Sequence, residues 1–288
     1  MNAVVLADGW SKGGRDGARR ALEAFWSEVG ALMPAGMVTQ GEGDALSLTP
    51  ASKMLASWAA LFSPSQLNPM GLNPLRDLLT GLVDFEQMRA DSPFKLFVGT
   101  TQANTGKLRV FRETELTVDV LLASACLPRF TTQSRSTASH TGMAGTRATR
   151  PCSLFSTTAP DVLLVLLSPL VRGTTPRTLA EIEERIEELS FSATFMREMQ
   201  TFARAAEFSS PTFVARGRLE RKLQTVRFHI IEGGHFTSLQ RGETKLLAHG
   251  PFLELLHEQG LGCAMGWLAT HSESIGQRST VDIQQWFT

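Results

Sequence analysis

The sequence predicts an α/β protein, and three observations carry that prediction. Asp161 to Leu167 is a near-continuous apolar run, the pattern of a strand buried on both faces. Lys95 to Gly99 and Lys107 to Phe111 read as two more strands. Stretches with helical period lie on either side of these runs, so strands and helices interleave along the chain.

Taken in order, Met1 to Ala7 is a short apolar run ending at Asp8-Gly9, compatible with a buried strand or the tail of a helix. Asp16 can cap a helix whose apolar face is Ala18, Leu22, Phe25, Trp26 and Val29, ending near Gly30. Met37 to Pro50 is Gly-rich and reads as a loop. Met54 to Phe62 is a helical piece, followed by the punctuated run SPSQLNPMGLNP, and Leu75 to Met88 is again helix-like. The two strands after it join through Asn104-Thr105-Gly106, a hairpin with Gly at the turn. Leu116 to Ala125 is helical and stops before Pro128.

Beyond the apolar strand, Pro176 occupies the first-turn position of a long helix. Its stripe of Leu179, Ile182, Ile186, Leu189, Phe195, Met199 and Phe202 reads as core packing. Val226 to Ile231 is a strand, and Phe252 to His257 and Cys263 to His271 are helical. The expected division is a core over 1–172 and a mostly helical part over 173–288.

Arg129 to Ala159 departs from all of this. It holds thirteen Ser or Thr and four Arg, with no Asp, Glu, Val or Ile. Such a stretch cannot bury enough surface to offset its ordering entropy, so it is expected to be irregular and disordered.

Composition excludes several functions. Net charge is zero over 28 basic and 28 acidic residues, which argues against nucleic-acid binding. Cys126, Cys152 and Cys263 are too few and scattered for a disulfide framework or a zinc site, so a reducing, cytoplasmic setting is expected. The first residues lack the basic region of a signal peptide, and no apolar run approaches the roughly 18 residues of a membrane span. The six His lack metal-ligand spacing, and no metal or cofactor is expected. The cluster Glu181, Glu183, Glu184, Arg185, Glu187, Glu188 reads as a solvated helix face.

Two local patterns suggest chemistry. Gly9-Trp10-Ser11-Lys12-Gly13 matches the G-x-S-x-G nucleophile elbow, with Ser11 as the candidate nucleophile. That chemistry needs Ser on a sharp strand-to-helix turn, whereas the next helix is expected to start only near Asp16. Gly99 to Lys107 has six residues between its glycines and Leu108 where a phosphate loop places Ser or Thr; it reads as the hairpin instead.

Several stretches together resemble the patatin-like phospholipases, bacterial serine acyl hydrolases. They are Met1-Asn2-Ala3, GGRDGARRALEAFW, QLNPMGLNPLRDLL, LFVGTTQANTGKLRVF, LASACLP, PDVLLVLLSP, EIEERIEELSF and SIGQRSTVDIQQWF. Their order and spacing span nearly everything except Arg129 to Ala159. The resemblance implies a central, largely parallel sheet flanked by helices, with a helical C-terminal extension. It also implies a Ser-Asp dyad, the Ser in a G-T-S-A-G elbow and the Asp in a D-G-G or D-G-A turn, acting on lipid esters beside backbone oxyanion donors.

The chain departs from that pattern twice. In the family the elbow runs directly into M-N-A, so the first strand, the oxyanion loop and the nucleophile are expected to be missing ahead of Met1. No D-G-G follows Leu127-Pro128. The genetic code bears on this second gap. Read from the third base of each codon, Met143-Ala144 must yield Gly, and the stretch Thr141 to Arg150 permits W-D-G-G-Y-S-G-N-P. A frameshift entering after Pro128 and restored before Pro160 is therefore expected, and it accounts for the loss of acidic residues there.

The resulting expectation is a lipid acyl hydrolase lineage whose present chain has no catalytic residue, Ser11 of an α/β-hydrolase being the alternative. Its partners are a lipid or ester substrate and peripheral membrane contact, with no nucleic acid and no transmembrane segment. A non-catalytic lipid- or protein-binding remnant is the other reading. Loss of a strand from a parallel sheet also predicts an exposed apolar edge and poor solubility.

Overall fold

The computed structural model describes residues 1–34, 36–40, 46–59, 61–102, 104–125, 161–167, 175–208, 225–233, 236 and 247–287. The expected irregular stretch from Arg129 to Ala159 and the displaced Asp turn within it lie outside the described residues, as do His140 and His235. The chain is mixed α/β and mostly helical, and it forms two compact units. One comprises Met1–Ala148 with Leu246–Glu254; the other comprises Thr149–Lys245 with Leu255–Thr288.

The first unit is built on α1 (Asn2–Ala31), two helical arms joined across Gly13 and Gly14. Gly14 has a φ of 57°, in the left-handed region where a side chain is unfavourable. Asn2 to Ala7 is thus the start of a helix that runs on through Asp8-Gly9, neither a strand nor the tail of a helix. The arms touch at Gly9 and Gly17, where a Cβ on Gly9 would sit 2.6 Å from both the Gly17 carbonyl oxygen and the Ala21 Cβ. This contact draws Val4, Val5, Ala7 and Phe25 into a core with Leu79, Met88, Phe111, Leu116 and Leu121.

Next come β1 (Val38–Gln40) and β2 (Leu46–Leu48), an antiparallel pair within the stretch expected to be a loop. Their apolar-polar alternation outweighs the flanking glycines. Then follow α2 (Pro50–Ala59), the short α3 (Pro64–Leu67), α4 (Pro74–Leu82) and α5 (Phe85–Asp91). The single helix expected over Leu75 to Met88 is two. Asn73 caps α4 by accepting from the Arg76 N–H, and Asp84 caps α5 by accepting from the Glu86 and Gln87 N–H groups. β3 (Phe97–Thr101) and β4 (Leu108–Arg112) pair antiparallel, with Gly106 at a φ of 66° in the turn, as the spacing predicts. α6 (Val118–Ala125) closes the described part of this region.

The second unit holds the parallel pair β5 (Asp161–Leu166) and β6 (Arg227–Glu232). A division after residue 172 would separate these two strands; their pairing puts them in one unit. β5 is not buried on both faces. Val162, Leu164 and Leu166 are buried against Phe195, Met199 and Phe287, while Leu163 and Val165 are about half exposed, at 49% and 54%. Those partners lie on α7 (Leu179–Phe208) and α9 (Ile283–Phe287), which cover one face only.

α7 starts later than Pro176 because Thr178 and Glu181 form a capping box, each side chain accepting from the other's backbone N–H. Only its later stripe is core: Phe195 and Met199 are buried, whereas Leu179, Ile182, Ile186 and Leu189 are exposed. α8 (Gly250–His271) is one continuous helix where two pieces were expected, running through Gly260 and Gly262. Among the described residues there are three two-stranded sheets, two of them antiparallel, in place of one largely parallel sheet.

Candidate functional site

The densest polar cluster forms where the two parallel strands begin. Their register sets Asp161, the first residue of β5, directly beside Arg227, the first of β6. The guanidinium grips the carboxylate with two bonds, Nε to Oδ1 at 2.9 Å and Nη2 to Oδ2 at 3.0 Å. His229 lies two residues along β6 and so on the same face. Its Nε2 is 3.2 Å from Asp161 Oδ1, and its Nδ1 is 3.1 Å from Thr280 Oγ1. The Gly276 N–H donates to Asp161 Oδ1 at 3.0 Å. Trp267 closes the ring from outside, edge-on at 5.6 Å.

The electrostatics follow from that geometry. The hydrogen bonds from Arg227 hold the Asp161 carboxyl far below the usual carboxylate range, and those from Gly276 and His229 add to this. Arg227 is raised in turn by its bond to Asp161. With Asp161 ionised, His229 donates to it from Nε2.

An acid, a histidine and a hydroxyl in line have the outline of a nucleophile, its base and the group that orients the base. Three features make it a clamp instead. Both ring nitrogens are occupied and the imidazole is only 1% exposed, so a substrate has no access to it. The cluster lies at the amino ends of the parallel strands, opposite the carboxyl ends where open α/β sheets bind ligands. The backbone around Thr280 is also spent: its N–H donates to the Phe228 carbonyl at 3.0 Å, and Ser279 Oγ accepts from the Phe228 N–H at 3.1 Å. Ser279 and Thr280 are thereby pinned against Phe228 of β6.

Ser11, the sequence-nominated nucleophile, is elsewhere. It sits in the first arm of α1, and its hydroxyl donates to the Asp8 carbonyl oxygen at 2.7 Å. That is an intrahelical bond, three residues back; the strand-to-helix turn an elbow requires is absent at this position. Of the motif's glycines, Gly9 serves the crossing of the α1 arms and Gly13 lies in the kink between them.

Asp8 is the buried residue that motif reading overlooked. Its Oδ2 pairs with Lys12 Nζ at 2.8 Å and its Oδ1 accepts the Asp84 N–H at 3.0 Å. Lys12 also donates to the Leu82 carbonyl at 3.2 Å, so the pair ties α1 to the junction of α4 and α5. Beside it lies an open depression of about 510 Å³, lined by Lys12, Thr80, Asp84, Glu86 and Arg89 among others. It contains neither Ser nor His. A charged residue directly after the apolar run Val4-Val5-Leu6-Ala7 is the signal that could have found Asp8.

Among the described residues no group of His, Cys, Asp and Glu could hold a metal ion, and no helix is long and apolar enough to cross a membrane. Fold and site together define a mixed α/β protein with a half-buried ionic clamp. No family model, curated protein or solved structure matches the chain.

Proposed function

We propose that this chain descends from the patatin-like lipid acyl hydrolases and that, as it stands, it does not hydrolyse lipid esters. Support for the lineage is the ordered series of motifs from Met1-Asn2-Ala3 to SIGQRSTVDIQQWF. A parallel strand pair that includes the PDVLLVLLSP stretch is compatible with it. The loss of activity rests on one observation above others. The hydroxyl of Ser11 is committed to a carbonyl of its own helix rather than to a base. A Ser or Thr hydroxyl without an available base and an oxyanion site retains only the residual catalysis of binding.

The test is hydrolysis of p-nitrophenyl butyrate and fatty-acid release from phosphatidylcholine vesicles by the full chain. The expected result is no turnover above the buffer blank. Turnover abolished by Ser11→Ala would restore the elbow, and turnover abolished by Thr280→Ala would make the Asp161–His229–Thr280 line catalytic; either overturns this reading.

A further inference from the structure

α2 is built inside out. Ser52 is buried and Ala59 half-buried, whereas Met54 is 74% exposed and Leu55 and Trp58 are each 54% exposed. At about 100° per residue, Met54, Leu55 and Trp58 share one arc of roughly 100°, and Ser52 and Ala59 fall outside it. The helix therefore packs Ser52 and Ala59 and presents its large apolar side chains to water.

The same character continues past the helix. Leu61 is 79% exposed, and the ring of Phe62 lies 4.7 Å from that of Trp58. Leu67, Met70 and Leu72 follow, at 46%, 84% and 70%. A continuous run of exposed large apolar side chains on this scale marks an interaction site.

Two further observations select the occupant. No Asp or Glu occurs between Asp44 and Asp77, in a chain that carries 28 acidic residues over 288, and the cation Lys53 lies within that gap; Arg76, at its end, is paired with Asp119. An acid-free apolar segment with Trp, Phe, Leu and Met suits the headgroup boundary of a bilayer, and most of all one with anionic lipid. A protein groove would instead call for paired charges at its rim to set register.

The second observation concerns the backbone. Leu61 N–H donates to the Trp58 carbonyl, and Phe62 N–H to that of Ala59. The Ser63 N–H donates to Gln66 Oε1 at 2.8 Å, and Asn68 exchanges two hydrogen bonds with the backbone of Leu72, at 2.7 and 2.9 Å. The turns after α2 thus satisfy their own polar groups and can leave water at little cost.

We propose that Met54 to Leu72 is a membrane-interface surface, with α2 lying in the plane of an anionic bilayer and Trp58 and Phe62 at headgroup depth. This rests on observations separate from the catalytic reading: ester turnover would end that reading and leave this surface standing, and failure to bind vesicles would do the reverse.

The experiment is flotation of the full-length chain with phosphatidylcholine vesicles and with mixed phosphatidylcholine–phosphatidylglycerol vesicles. The chain is expected to float with the mixed vesicles and to show a blue shift in tryptophan emission. Leu55→Asp/Leu61→Asp loses more than about tenfold in partitioning, since each exposed leucine brings more than about 1.4 kcal/mol when buried. The milder Met54→Ser/Met70→Ser weakens binding in the same direction with the thermal melt unchanged, which separates lipid contact from folding. Lys53→Glu lowers binding to the mixed vesicles alone, by a few-fold. Wild-type protein left unfloated by both vesicle types would overturn the proposal. So would flotation indifferent to the Met pair, or a dimer in sedimentation that the Met pair dissolves, which would assign the surface to a second copy.

Discussion

α1 and α2 belong to the same unit, both are rich in apolar residues, and they bury opposite things. In α1 the large side chains Val4, Val5 and Phe25 are inside and, apart from the ion-paired Asp8, the charged residues are outside. In α2 Ser52 is inside, and Met54, Leu55 and Trp58 face water. The difference lies in what each helix has to pack against. Gly9 and Gly17 let the two arms of α1 approach backbone to backbone, which aims their apolar faces at α4, α5 and α6. Among the described residues, α2 rests chiefly on the short strand β2 and finds no apolar surface of comparable size. Apolar content sets the capacity for burial; a matching neighbour realises it.

The comparison is broken most severely at Gly17. A Cβ there would meet the Gly9 carbonyl oxygen, a backbone atom that cannot swing aside. Gly17→Val is expected to cost about 3 kcal/mol or more and to unfold the first unit, read as loss of its transition in a denaturant melt. An intact melt with unchanged midpoint would show that the arms of α1 do not cross at these glycines.

A smaller effect is expected at the ionic clamp of the second unit. Asp161→Asn keeps the shape and removes the charge that Arg227 and His229 share, at about 1–2 kcal/mol once partial solvent exposure is allowed for. The pH dependence has a definite sign. The folded carboxyl is held below its unfolded value, so its stabilisation is complete above about pH 4 and drains away as pH falls further. Asp161→Asn should therefore flatten the acid limb of a stability–pH profile; an unaltered limb would remove Asp161 from its cause.

The smallest effect sharpens the contrast. Met54→Ser, at a position 74% exposed, is expected to shift stability by no more than about 0.5 kcal/mol, although the same substitution of a buried Met would cost several-fold more. A large loss would mean that α2 is covered in the folded chain.

Much of the local structure could be read from neighbouring residues. Asn104 and Gly106 specify the β3–β4 turn, and the helical periods of Ala18 to Val29 and of Phe195 to Phe202 each mark a buried face. The candidate Ser11 could be read only as a pattern, because a five-residue motif does not state whether its backbone is a strand-to-helix turn or the inside of a helix. The clamp could not be read at all. Asp161 meets Arg227, His229 and Gly276 across separations of 66, 68 and 115 residues, and nothing local announces those meetings.

By itself, then, the order of amino acids determined many of the helices and strands and how much apolar surface each one carries, though not the pair β1–β2, the break between α4 and α5 or the continuity of α8. Tertiary structure alone decided which face of each element is hidden, sending Ser52 inward and Trp58 outward, and covering one side of β5 but not the other. The reason is range. Backbone propensities and caps act over three or four residues, whereas burial depends on the surface that distant parts of the chain bring alongside.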